Sequence, residues 1–185
     1  MSTDTDRTLA ELLVQTTRLG IQLDEIPHLT VLDVGCGVDA RLVHFLRGQG
    51  AKAEGIDCIV TPEPHLMQGW VLKIGDIPRP TQQYDLVITY CNPCLYDPKI
   101  GTKERDSESF SWQATRMLME MLRVSKKEVR IFPSIKFLDE KCKRLGLRVN
   151  HETSEIPFRH EVGCTTEIQQ AGQHMFGYRS ILYRS

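Results

Sequence analysis

VLDVGCGVDA, residues 31–40, sets a short apolar run against two closely spaced glycines. Such a run, bounded by glycine, reads as a buried strand that ends in a tight turn. The apolar positions that follow, Leu42, Val43, Phe45 and Leu46, repeat at helical spacing. Strand, glycine turn and helix together make a cradle, because glycine lets bare backbone approach a ligand. Gly35-Cys36-Gly37-Val38-Asp39-Ala40 fits the GxGxxA pattern, and Asp57 lies 20 residues beyond Gly37. Both features allow a dinucleotide. Asp33 opposes it: a carboxylate two residues ahead of Gly35 repels a pyrophosphate and favours a cation.

Strands and helices alternate outward from this unit. Leu9, Leu12, Leu13, Thr16 and Leu19 mark an amphipathic N-terminal helix within residues 1–20, which Gly20 stops. Strands are expected at residues 30–34, 53–57, 71–74, 84–90, 128–132, 147–150 and 176–183, with a brief helix at 62–68. Ala114, Met117, Leu118, Met121 and Leu122 place a long helix after Phe110, its methionines filling the core. Ile135, Leu138, Cys142 and Leu145 mark another helix, which Gly146 stops. The alternation predicts a doubly wound α/β sheet.

The chain has 185 residues, 41% hydrophobic and 25% charged, which predicts one globular domain. A net charge of -1 gives no global case for nucleic acid or an anionic membrane. No apolar run approaches the roughly 20 residues of a membrane helix. The acidic, polar N-terminus is unlike a signal peptide, so a cytoplasmic location is expected. There the six cysteines are expected to be free thiols. Cys91 and Cys94 form a CxxC, but no second pair completes a zinc site, and no metal ligands are assigned. Convergence of Cys36, Cys91 and Cys94 on a soft metalloid is the sharper, less favoured reading of these thiols.

VLDVGCG (31–37), EGID (54–57), IGDI (74–77) and YDLVITY (84–90) follow one another in an informative order. Together they resemble the motifs of class I S-adenosylmethionine-dependent methyltransferases, over nearly the whole chain. The resemblance implies a Rossmann-like, seven-stranded sheet, mostly parallel with an antiparallel last strand and helices on both faces. It implies S-adenosylmethionine as cofactor, with Asp33, Gly35, Cys36 and Gly37 at its amino-acid end. Asp57 would accept hydrogen bonds from the ribose hydroxyls, with Cys58 beside it, and Asp76 from the adenine amine. Backbone donors near Ile77 would read the ring edge, and Tyr90 would stand where the methyl group is presented.

Two alignments of the later segments stay open. Asn92-Pro93 resembles the Asn-Pro-Pro-aromatic motif of amino-methylating members, which makes Asn92 the candidate catalytic residue; Cys94 and Leu95 depart from that motif. Alternatively MEMLRVSKKEVRIFP (119–133) resembles a segment of small bacterial methyltransferases, with Lys126-Lys127-Glu128 in place of a Gly-Gly turn. Either way the acceptor, a small molecule or a macromolecule, is unspecified. The N-terminal helix, residues 99–108 and residues 158–177, with His160, Glu161 and His174, are the candidate substrate-binding segments. A cofactor-binding or partner-binding protein of this fold without turnover is the alternative. A nicotinamide oxidoreductase is disfavoured by Asp33.

Overall fold

The computed structural model describes residues 4–69, 77–90, 107–133, 142, 145–153 and 178–183. The α-helices described in full are α1 (Asp4–Leu19), α2 (Arg41–Gly48) and α3 (Ser107–Val124), with a 3-10 turn at Ile26–His28. Seven strands are β1 (Thr30–Val34), β2 (Lys52–Asp57), β3 (Leu66–Gln68), β4 (Tyr84–Tyr90), β5 (Ser125–Phe132), β6 (Arg148–Thr153) and β7 (Tyr178–Tyr183). They form one sheet in the order β3-β2-β1-β4-β5-β7-β6. β1 to β5 run parallel, and β7 is antiparallel to both β5 and β6. The expected doubly wound sheet with an antiparallel last strand is therefore present. No described helix is long and apolar enough to cross a membrane.

Strand alternation divides the core in two. Leu32 and Val34 of β1, Val87 of β4 and Val129 and Ile131 of β5 pack beneath Met117, Leu118, Met121 and Leu122 of α3. Val31, Leu86, Ile88 and Phe132 face the other way, toward Leu12 and Leu19 of α1 and Leu42, Val43 and Leu46 of α2. Residue 33 belongs by the same alternation to the α1–α2 side, so a carboxylate is buried on an otherwise apolar face.

Arginines fasten the helices. α1 ends at Gly20, whose φ is +70°. The Arg130 guanidinium of β5 donates to the carbonyls of Leu19 (3.3 Å) and Gly20 (2.6 Å), satisfying groups that the helix cannot. α3 ends where the N–H groups of Gln82 and Gln83 donate to the Arg123 and Val124 carbonyls. The Arg123 side chain donates in turn to the Ile77 and Arg79 carbonyls, both at 2.8 Å.

Two expectations are corrected. Residues 62–68 are not a brief helix: Glu63 and Leu66 exchange backbone hydrogen bonds around Pro64-His65, and Leu66–Gln68 is the third strand, paired with residues 55–57. Prolines at 62 and 64 remove the N–H groups a helix needs and suit position i+1 of a turn. The strand expected at 71–74 lies outside the described residues. The fifth strand, expected from Glu128, begins three residues earlier, at Ser125, where α3 passes directly into β5. Tyr84 pairs with Ser125 but Leu86 with Glu128, so β5 absorbs one extra residue as a bulge. The Ser125 hydroxyl donates to the Glu128 carbonyl across it, at 2.9 Å.

Candidate functional site

The glycine turn lies at the carboxyl end of β1, between β2 and α2. Gly35 and Gly37 both take positive φ, +83° and +74°, where a side chain is strained. The Gly35 N–H donates to the Ile56 carbonyl (2.8 Å), and the Gly37 N–H to Asp57 Oδ2 (2.9 Å). Asp57 Oδ1 accepts from the Ile59 N–H at 3.1 Å. The carboxylate at the end of β2 thus sets the turn that follows β1 and its own turn together. Ala40, with φ +45°, leads into α2, whose first turn no side chain caps.

A third glycine matters through its lack of bulk. A Cβ at Gly55 would lie 2.8 Å from Cys36 Sγ and 2.9 Å from a Val43 methyl. Gly55 pairs with Asp33 in the β1–β2 register, so the turn and α2 rest directly on β2 backbone. The sequence reading passed over this residue; its signal was a lone glycine inside a strand pattern.

Above the turn is an open cavity of about 300 Å³. Asp33, Gly35, Cys36, Gly37, Ala40, Arg41 and Tyr90 line it, and Gln15 of α1 contributes to its wall. Gln15 had a readable signal: it stands three residues after Leu12 and four before Leu19, on the buried helix face.

Asp33 is 3% exposed, and its Oδ1 makes no hydrogen bond among the described residues. Burial, then the nearby Asp57 charge, push its pKa up to about 7. Burial, then Asp33 and Asp57, hold the Cys36 thiol far above its ordinary range. Cys36 is therefore a neutral thiol packed on Gly55. Cys58 is shifted the same way, by burial first and then Asp57.

Tyr90 closes the far side. Its ring stacks on Phe132 with centroids 5.5 Å apart, and its hydroxyl accepts from the Arg18 guanidinium at 2.5 Å. Arg18 is itself 3% exposed and lies 5.5 Å from the Phe132 ring centroid, a cation–π contact. Nothing in the sequence marked this arginine, which stands off the apolar face of Leu9, Leu12, Leu13, Thr16 and Leu19.

The structure thus brings Asp33, Gly35, Cys36, Gly37 and Tyr90 to one cavity, with Asp57 bonded to its floor. Cys58 follows Asp57 outside the lining. Ile77 is buried in the α3-side core, and its own N–H donates to Glu120 Oε2 at 3.0 Å. That donor is engaged and is not offered to a ligand ring. Asp76, Asn92, Cys91, Cys94 and residues 158–177 lie outside the described residues.

No protein-family profile and no curated protein matches the chain by sequence. Solved structures do match. A SAM-dependent methyltransferase from Archaeoglobus fulgidus superposes with a TM-score of 0.56 at 15% identity, over 94% of each chain. Magnesium protoporphyrin IX methyltransferase from Synechocystis, crystallised with bound SAM, gives 0.54 at 14% identity, over 100% of this chain and 86% of that one. With strand order 3-2-1-4-5-7-6 and these neighbours, the chain has the class I methyltransferase fold.

Proposed function

We propose that this chain is an S-adenosylmethionine-dependent methyltransferase whose acceptor is still to be identified. One observation carries the reading: a buried carboxylate with a free oxygen, Asp33, lines a cavity over a glycine turn that is itself tied to a second acid, Asp57. Such a rim suits a cationic nucleoside and disfavours a pyrophosphate. The fold neighbours, one of them crystallised with SAM, support the same ligand.

The residues present fit the cofactor. Asp33 would hold its ammonium group. Arg41, which pairs with Asp39 of the same lining at 3.4 Å, would together with the N–H groups of α2 that no side chain caps suit its carboxylate. Asp57 spends one lone pair per oxygen on Gly37 and Ile59, leaving acceptor capacity for ribose hydroxyls. Asp76, at the adenine, belongs to the proposal on sequence alone.

The cofactor would supply a methyl group on an already activated sulfonium. What remains for the protein is to exclude water and align the acceptor with the transferred carbon. Tyr90, clamped between Phe132 and Arg18, gives the end of β4 a fixed wall for that purpose. Asn92, two residues on, would orient an acceptor nitrogen, and residues 158–177 would close over it.

Calorimetry against S-adenosylmethionine, S-adenosylhomocysteine and NAD tests the cofactor assignment. Saturable binding of the first two alone supports it; binding of NAD alone overturns it. Release of S-adenosylhomocysteine in an acceptor screen then separates an enzyme from a binding protein of the same fold.

A further inference from the structure

The fold brings together three potential metal ligands that the sequence keeps apart. His44 stands on α2; Glu63 and His65 occupy the turn ahead of β3. One donor atom from each lies within 4.8 Å of the other two. His65 Nε2 is 3.6 Å from Glu63 Oε2, and the two imidazoles meet edge to face, centroids 5.3 Å apart.

We propose that His44, Glu63 and His65 form a binding site for a divalent transition metal of the zinc class, which fastens α2 to the turn preceding β3. Two imidazole nitrogens and one carboxylate oxygen are a donor set that zinc accepts, with a fourth position left to water or an outside ligand. Zinc bonds of roughly 2.0–2.2 Å require ligand atoms somewhat over 3 Å apart. Glu63 and His65 already meet that spacing. His44 and Glu63 are exposed and free to close the remaining distance by rotation.

Two further observations favour a ligand over a chance contact. His65 Nε2 is buried yet makes no hydrogen bond among the described residues, an arrangement that is costly without a partner. And two of the three ligands sit on a backbone set in advance. Glu63 and Leu66 exchange hydrogen bonds at 3.2 and 3.0 Å around Pro64, and the His65 carbonyl accepts from the Gly55 N–H at 3.0 Å. Ligands fixed before the metal arrives lose less entropy on binding it.

The clamp would join α2, whose first residues line the cavity, to the segment that follows β2. α2 follows the Gly35–Gly37 turn, and residues 58–65 follow Asp57. A metal joining His44 to Glu63 and His65 stabilises the folded chain by mass action, whether or not a nucleoside is bound.

The test uses chelator-stripped protein without nucleoside, titrated with Zn(II) and, for its spectrum, Co(II). The proposal expects one equivalent bound, a raised melting temperature, and a Co(II) spectrum without the charge-transfer bands of thiolate ligation. His44→Ala and His65→Ala should each weaken binding by roughly tenfold or more, and Glu63→Gln should weaken it too. His44 and Glu63 are exposed, so those two variants check the site even if His65→Ala disturbs the fold. Absence of saturable uptake, uptake indifferent to His44→Ala and Glu63→Gln, or thiolate bands would each overturn the proposal. None of these readouts depends on S-adenosylmethionine binding.

Discussion

Asp57 Oδ2 accepts the backbone N–H of Gly37 at 2.9 Å, joining the end of β2 to the turn that leaves β1. One side chain therefore shapes the glycine turn and, in the proposed reading, keeps acceptor capacity for the ribose. Its charge also bears on Asp33 and on the Cys36 thiol.

Replacing Asp57 should act on both roles. Asp57→Ala is expected to weaken S-adenosylmethionine binding by roughly 1.5–3 kcal/mol through loss of charge-assisted hydrogen bonds. Calorimetry on the folded variant measures it, and unchanged affinity would remove Asp57 from the ribose site.

Asp33 makes stability and binding depend on pH in opposite senses. Its folded pKa, about 7, lies above the 3.8 of an unperturbed aspartate. Between those values the native state holds a proton that the unfolded state has lost. Its contribution to stability is complete below about pH 4 and disappears as pH rises through 7. Asp33→Asn removes this term and should stabilise the ligand-free protein near pH 8 by roughly 1–4 kcal/mol. Cofactor affinity should instead rise from pH 6 to 7.5 in the wild type, as Asp33 ionises, and lose that slope in Asp33→Asn. Denaturant melts and calorimetry across that range would show both trends, and a flat affinity profile in the wild type would count against the ammonium contact.

Gly55→Ala should destabilise the fold by roughly 1–3 kcal/mol, because the new methyl meets Cys36 Sγ and a Val43 methyl below 3 Å. Adding Cys36→Ala should recover part of the loss by clearing one of the two contacts. A double-mutant cycle from urea melts checks this; strict additivity would mean that the turn does not rest on β2 as described.

Tyr90→Phe takes from Arg18, a buried cation, one hydrogen bond of 2.5 Å. A loss of about 1–3 kcal/mol in unfolding free energy is expected, with the Phe132 stacking retained. Little or no change would show that other contacts carry the arginine.

The central strands and the turn at the carboxyl end of β1 were legible because period and position agree there. Val31, Leu32 and Val34 could only be a buried strand, and Gly35 and Gly37 announced the turn. Asp33 stood out as the one charge in an apolar run. Residues 62–68 misled because Leu66 and Met67 are too few to show a period, and pairing with β2 decided their state. The α3–β5 junction misled because Gln82 and Gln83, distant in sequence, take the carbonyls that end the helix. Arg18 and the His44–Glu63–His65 group were hidden for a related reason. Each gains meaning only from a neighbour on another element, which no local pattern announces.

β7 lies between β5 and β6, and β6 pairs with no other described strand. During synthesis, residues 148–153 must therefore leave the ribosome with both edges bare and wait for residues 178–183 to be made. Until then the nascent β1–β5 platform ends in an open β5 flank, the place where a chaperone or a neighbouring nascent chain would engage it first.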